Sequence, residues 1–203
     1  LGTVFQPFSV YDAQGLKVAV IGMANLSSLT SIFDAPNRLG ITPLNTTQIA
    51  QAYIDLLRPS VDVVVMLSHL GLEHDEELIE TTTGIDVVLG GHNHIVLQPP
   101  KHVRDCSAHF DADAKSYYIE VDGPVSGEKL RRYCKPRDVV LAHSGAFAKY
   151  VGRLDLVLTN DPADLSPACD PNVEQETCYD PINGFEVLSQ DYVRTARAKG
   201  LAE

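Results

Sequence analysis

Three apolar runs constrain this chain more than any other feature: "KVAVIG" (17–22), "VDVVVMLSHLG" (61–71) and "IDVVLGG" (85–91). None alternates polar with apolar residues, and each ends at glycine. Such runs read as buried strands covered on both faces, the kind found in parallel sheets. Between the first two, "TTQIAQAYIDLLRP" (46–59) places Ile49, Ala50, Tyr53, Ile54 and Leu57 at helical spacing. Asn45 or Thr46 can cap that helix, and Pro59 ends it. "EHDEELIETT" (73–82) begins acidic, as a helix N-terminus prefers, and stops before Gly84. Strands alternating with helices imply an α/β fold with a mainly parallel sheet and right-handed crossovers.

The texture changes after residue 98. Residues 99–137 form a long polar insertion in which only "SYYIEV" (116–121) has strand character. "DVVLAHSGAF" (138–147) follows. In "YVGRLDLVLT" (150–159), Leu154, Leu156 and Leu158 alternate with Arg153, Asp155 and Val157, as in a half-buried antiparallel strand. From Asp161 to Asp180 there are six acids and no Lys or Arg, the composition of a solvated loop. "SQDYVRTARAKGLAE" (189–203) suits a short terminal helix. The expected organisation is one body over 1–160, interrupted at 99–137, then an acidic loop and short helix over 161–203.

A net charge of −11 argues against a nucleic-acid surface, which needs a basic stripe. No apolar run approaches the roughly 18 residues that span a membrane. The N-terminal "LGTVFQPFSV" has no Met and no signal-type n-region, and reads as a chain beginning mid-protein. Cys106, Cys134, Cys169 and Cys178 form no C-x-x-C pair and lie in polar stretches, where disulfides staple long loops. The sequence-local bridges Cys106–Cys134 and Cys169–Cys178 are preferred over free thiols in a cytosolic protein. Sequons at Asn25 and Asn45 agree with a secreted glycoprotein.

Chemistry concentrates in the histidines. Parallel strands deliver functional loops at their carboxyl ends. His69 follows "VVVMLS" and His92 follows "VVLGG", so both leave the sheet at the same edge, with His94 two residues on. Neighbouring strands lie about 5 Å apart, which lets the three imidazoles converge. Neutral imidazole suits Zn, Mn, Fe or Ni, and Gly90 and Gly91 let the backbone approach an ion closely. A lone histidine is more often a polar loop residue; three at one edge favour a metal site. Asn93 and His143, the latter ending "DVVLAH", are weaker candidates for substrate or supporting contacts, and a plain core histidine is the other reading of His143. His74, among four acids, reads as a solvated helix-start residue. His102 and His109, with Cys106, suggest either a metal knot or a disulfide loop.

"VVVMLSHLGLEHDEEL" and "GIDVVLGGHNH", with "GLKVAVIGMAN" before and "SGAFAKYVGRLDLVL" after, resemble the 5′-nucleotidase branch of the calcineurin-like metallophosphoesterases. The resemblance covers about residues 8–98 and 138–160. It implies a two-sheet sandwich flanked by helices and a site for two divalent transition ions. His69 and His92 would serve one ion and His94 the other. The implied substrate is a phosphoester or nucleotide, hydrolysed by a metal-activated hydroxide.

The family's D-x-H, G-D and G-N-H elements, which supply the bridging carboxylate and further ligands, have no counterpart here. Asp62 and Asp86 open their strands, roughly 20 Å from the histidine edge at 3.3 Å per residue. Two dications about 3.5–4 Å apart need a bridging anion, which three neutral imidazoles cannot supply. The expectation is therefore the C-terminal half of a catalytic domain, its N-terminal half a preceding segment or a separate chain. A secreted, non-catalytic binding or structural module with this fold is the alternative, and a mononuclear metal-binding protein a third.

Overall fold

The structure, a computed structural model, describes residues 6–25, 44–147, 149–159 and the backbone of 186–195. Its centre is a six-stranded sheet. β1 (Phe8–Ala13) and β2 (Leu16–Met23) form an antiparallel hairpin. Gln14 (φ 58°) and Gly15 (φ 94°) take the two left-handed positions that a tight two-residue hairpin turn needs. β2 then pairs in parallel with β3 (Val63–Ser68), β3 with β4 (Val87–Gly90), and β4 with β9 (Asp138–His143). β5 (Lys101–Arg104) closes the far edge, antiparallel to β9. The sheet order is β1-β2-β3-β4-β9-β5.

Two helices link the parallel strands. α1 (Thr46–Leu57) is capped by Asn45, whose Oδ1 accepts from the Gln48 amide at 3.0 Å. It tightens into a single 3-10 turn over Arg58–Ser60, where Pro59 withdraws its backbone donor. α2 (Leu72–Thr81) crosses from β3 to β4. Ala50, Ile54 and Leu57 of α1, with Leu78 and Ile79 of α2, join Ile21, Val64, Met66, Val88 and Leu141 in one core cluster. Burying each large aliphatic side chain contributes about 1.5–3 kcal/mol.

The other face of the sheet differs. Leu67 and Leu89 are partners in the β3–β4 register and are 54% and 37% exposed. The continuous apolar runs predict cover on both faces; on this second face Val63, Val87, Val140 and Ala142 are buried, and the cover stops short of Leu67 and Leu89. Polar–apolar alternation is missing because these strands carry apolar residues on both faces, whatever lies over the second.

The strands' amino ends are closed by charge. Asp86, just before β4, receives two bonds from the Arg58 guanidinium (2.6 and 3.0 Å) and one from the Val64 amide (2.7 Å). Asp105 accepts from the amides of Arg137 (2.7 Å) and Gly84 (3.1 Å). Burial raises the Asp105 pKa above the ordinary carboxylate range, against the opposing pull of Arg137.

Residues 99–137 are more ordered than their polar sequence suggests. Beyond β5 they form a three-stranded antiparallel sheet of β6 (His109–Asp111), β7 (Ser116–Asp122) and β8 (Lys129–Cys134). The predicted strand at 116–121 is thus one of four, the others masked by their shortness and half-exposed charges. A disulfide joins Cys106 to Cys134, Cα atoms 6.1 Å apart, so Cys106 is no metal ligand. His109 instead stacks on Tyr118, ring centroids 5.2 Å apart. Cys169 and Cys178 lie outside the described residues.

One expectation fails. Residues 189–195, read as the start of a terminal helix, belong to β11 (Glu186–Thr195), which pairs antiparallel with β10 (Val151–Thr159). Val187, Tyr192, Val193 and Thr195 favour strands, and pairing with β10 settles the conformation. Residues 196–203 lie outside the description.

Candidate active site

The carboxyl edge of the parallel strands carries the histidines, because β3 and β4 run in register. Met23 pairs with Ser68, Leu67 with Leu89, and Gly90 with His143. His69 is therefore the first residue past β3, its amide donating to the Met23 carbonyl at 2.9 Å. His92 leaves β4 two residues after Gly90. The two imidazoles meet edge to face, centroids 5.3 Å apart. Gly91 permits this, since a Cβ there would lie 3.1 Å from His69 Nδ1.

His94 goes elsewhere. Its ring packs edge-on against Phe147 with centroids 4.7 Å apart. His92 (φ 79°) and His94 (φ 59°) both adopt left-handed backbone, uncommon for side-chain-bearing residues and typical of functional loops. Among the described residues no group of three His, Cys, Asp or Glu is arranged around one point. The expected convergence of three rings is thus met by two. A metal's fit can be judged on those two. Rings bound to one ion through nitrogens at about 2.1 Å, at a tetrahedral angle, have centroids roughly 5 Å apart. The His69–His92 separation agrees; the donor set is incomplete.

Asn93 is structural here. Its Oδ1 accepts from the Leu72 amide at 2.5 Å, satisfying a donor at the start of α2. Gly71, with φ 101°, makes room: a Cβ there would sit 2.6 Å from that oxygen. His143, 1% exposed, is a core histidine with Nε2 2.9 Å from Asp75 Oδ2. It makes no surface for substrate. His74 is exposed, 3.4 Å from Glu77. Asp62 donates nothing to the histidine edge; its carboxylate accepts from the Lys17 amide at 2.7 Å.

Asp75 is the residue that sequence reasoning missed. Its place in an acidic helix start suggested solvent, yet it is fully buried, and Ser68 Oγ donates to its Oδ1. Helical spacing carried the signal: Asp75, Leu78, Ile79 and Thr82 fall at i, i+3, i+4 and i+7 on one face.

No protein-family model matches the chain. An apyrase of Tabanus yao is 30% identical over 150 residues, covering 72% of this chain and 24% of its own length. A 5′-nucleotidase of Diplobatis ommata is 29% identical over 98 residues, 48% of this chain and 16% of its own. The chain thus spans a quarter or less of these relatives. Among solved structures, the calcineurin-like phosphoesterase YfkN of Bacillus subtilis superposes with a TM-score of 0.56 at 16% identity, covering 95% of this chain and 51% of that one. The sulfate thiohydrolase SoxB of Thermus thermophilus reaches 0.60 at 18% identity, covering 95% and 25%. These structural likenesses establish the fold, and since one neighbour is a phosphoesterase and the other a thiohydrolase, the fold alone does not choose the substrate.

Proposed function

Starting from the chain's relation to apyrases, 5′-nucleotidases and calcineurin-like phosphoesterases, we propose that it supplies the histidine half of a metal-dependent hydrolase of nucleotide phosphoesters. The observation that carries this is the His69–His92 pair, 5.3 Å apart at the carboxyl edge of adjacent parallel strands. His69 and His92 would share one divalent transition ion, Zn, Mn, Fe or Ni. His94, separate against Phe147, would serve a second. This division agrees with the ligand roles that the sequence resemblance implies. Bound there, two such ions supply Lewis-acid contacts to phosphate oxygens and a water of lowered pKa. The chain's own part is orientation: Met23 O fixes the His69 backbone, and Gly91 lets the second ring approach.

In this reading the bridging carboxylate comes from a preceding segment or a separate chain. The exposed Leu67–Leu89 stripe supports this, because an apolar strand face of that kind calls for a covering layer. The Cys106–Cys134 bridge favours an oxidising, extracellular setting. Of the two sequons, Asn45 is the better glycan acceptor. It is exposed and its cap uses Oδ1, whereas the Asn25 amide donates to Leu70 O at 3.2 Å. The incomplete donor set is what favours the second reading, a non-catalytic module.

The test is hydrolysis of AMP, ADP and p-nitrophenyl phosphate with added Mn or Zn, by residues 1–203 with and without a segment bearing D-x-H, G-D and G-N-H. The chain alone should stay at background, the segment should restore turnover, and His69→Ala should then abolish it. Absence of turnover in every combination would sink the enzyme reading. Robust chelator-sensitive turnover by the chain alone would overturn the half-site.

A further inference from the structure

A buried polar bridge lies behind the two rings. Asp75 sits in the first turn of α2 among core residues, where an apolar side chain would avoid the desolvation that a buried carboxylate suffers. What it links gives the carboxylate a purpose. Its Oδ1 receives the Ser68 hydroxyl, and Ser68 Oγ in turn accepts from the Leu70 amide at 3.0 Å. That hydroxyl therefore grips the chain on both sides of His69. The other oxygen, Oδ2, meets His143 Nε2 at 2.9 Å. His143 pairs with Gly90 in the β4–β9 register, and its carbonyl accepts from the Leu97 amide at 3.0 Å, beyond the histidine loop.

Gly90 shows how closely this bridge is built against β4. A Cβ there would fall 2.0 Å from His143 Nε2 and 2.3 Å from Asp75 Oδ2. One carboxylate thus ties the ends of β3 and β9 together, passing against the end of β4 where the His92 loop begins. We propose that Asp75, acting with Ser68 and His143, is a positioning residue that fixes His69 against His92. The inference rests on the reading of those two rings as ligands of one ion.

Two readouts test it on the 203-residue chain: the ring NMR signals of His69 and His92 without metal, and cobalt(II) affinity by visible absorption. Asp75→Ala should shift both ring signals and weaken cobalt binding about 10–100-fold, the range for residues that orient ligands. His143→Ala should act likewise. His143→Gln, whose amide can still donate to the carboxylate, should recover most of the loss. Arg131→Ala, on β8, should change neither readout. Circular dichroism establishes folding, and if Asp75→Ala fails to fold, the His143→Ala and His143→Gln pair decides. Wild-type ring signals and cobalt affinity in folded Asp75→Ala, or in folded His143→Ala, overturn the proposal. The function reading fails separately, if His92→Ala binds cobalt as well as wild type. The metal-free ring signals still judge the positioning role in that case.

Discussion

The two ends of the same sheet are built by different means. At the amino ends, Arg58, Asp86, Arg137 and Asp105 form a buried network of opposite charges, and the Cys106–Cys134 bridge lies beside it. The side chains there are long and the contacts redundant. At the carboxyl ends the backbone is held by absent side chains. Gly71, Gly90 and Gly91 admit close approaches, and one carboxylate spans β3 and β9. Redundancy holds the fold at one end, and close tolerance sets a geometry at the other. Damage at the first should cost stability and spare the site; damage at the second should disturb the site at a smaller cost in stability.

The largest effect expected is from Arg58→Ala. It leaves the buried Asp86 carboxylate only the Val64 amide and the longer 3.5 Å contact to Arg137, and should cost about 3 kcal/mol of unfolding free energy. Urea unfolding measures this. The His69 and His92 ring signals of the folded protein should stay where they are, and their movement would erase the contrast between the ends. Gly90→Ala comes next. Its methyl group meets His143 and Asp75, so overpacking should cost about 1–3 kcal/mol. Here the ring signals and cobalt affinity should change, although the stability loss is smaller.

Asn93→Ala removes the acceptor of the Leu72 amide and should cost about 1 kcal/mol, read as a lower thermal midpoint. The smallest effect concerns pH. Burial raises the Asp105 pKa in the folded state, so its protonated form is the one folding favours. Its contribution is fully present below the unfolded value near 3.8 and declines as pH rises toward the raised folded value. Asp105→Asn has no such decline. The stability advantage of wild type over that variant should therefore narrow as pH rises from about 4, and a widening gap would reverse the assignment.

Much of this was legible in the sequence where burial left no choice. β2, β3 and β4 betray themselves because only apolar residues suit strands packed on both faces, and α1 because its cap, spacing and Pro59 agree. The Cys106–Cys134 pair and the shared edge of His69 and His92 also followed from position. What stayed hidden depends on tertiary partners. Asp75 looks solvated until Ser68 and His143 are placed around it. β6 and β8 carry too few apolar residues to signal a strand alone and are stabilised by β7 between them. β11 follows the ladder that β10 offers. His94 separates from its neighbours because the left-handed turn at its own α-carbon sends the ring to Phe147.

The sheet's two borders have unequal consequences for self-association. β5 offers a four-residue border with Lys101, His102 and Arg104 among its residues, a short and cationic rim that discourages strand addition. β1 is six residues long, has Asp12 as its one charged residue, and exposes Val10 and Tyr11. Its outward amides and carbonyls form the longer and less guarded template. Among the described residues, β1 is therefore the border where strand addition meets least obstruction. A lysine introduced in place of Val10 would guard that border as β5 is already guarded.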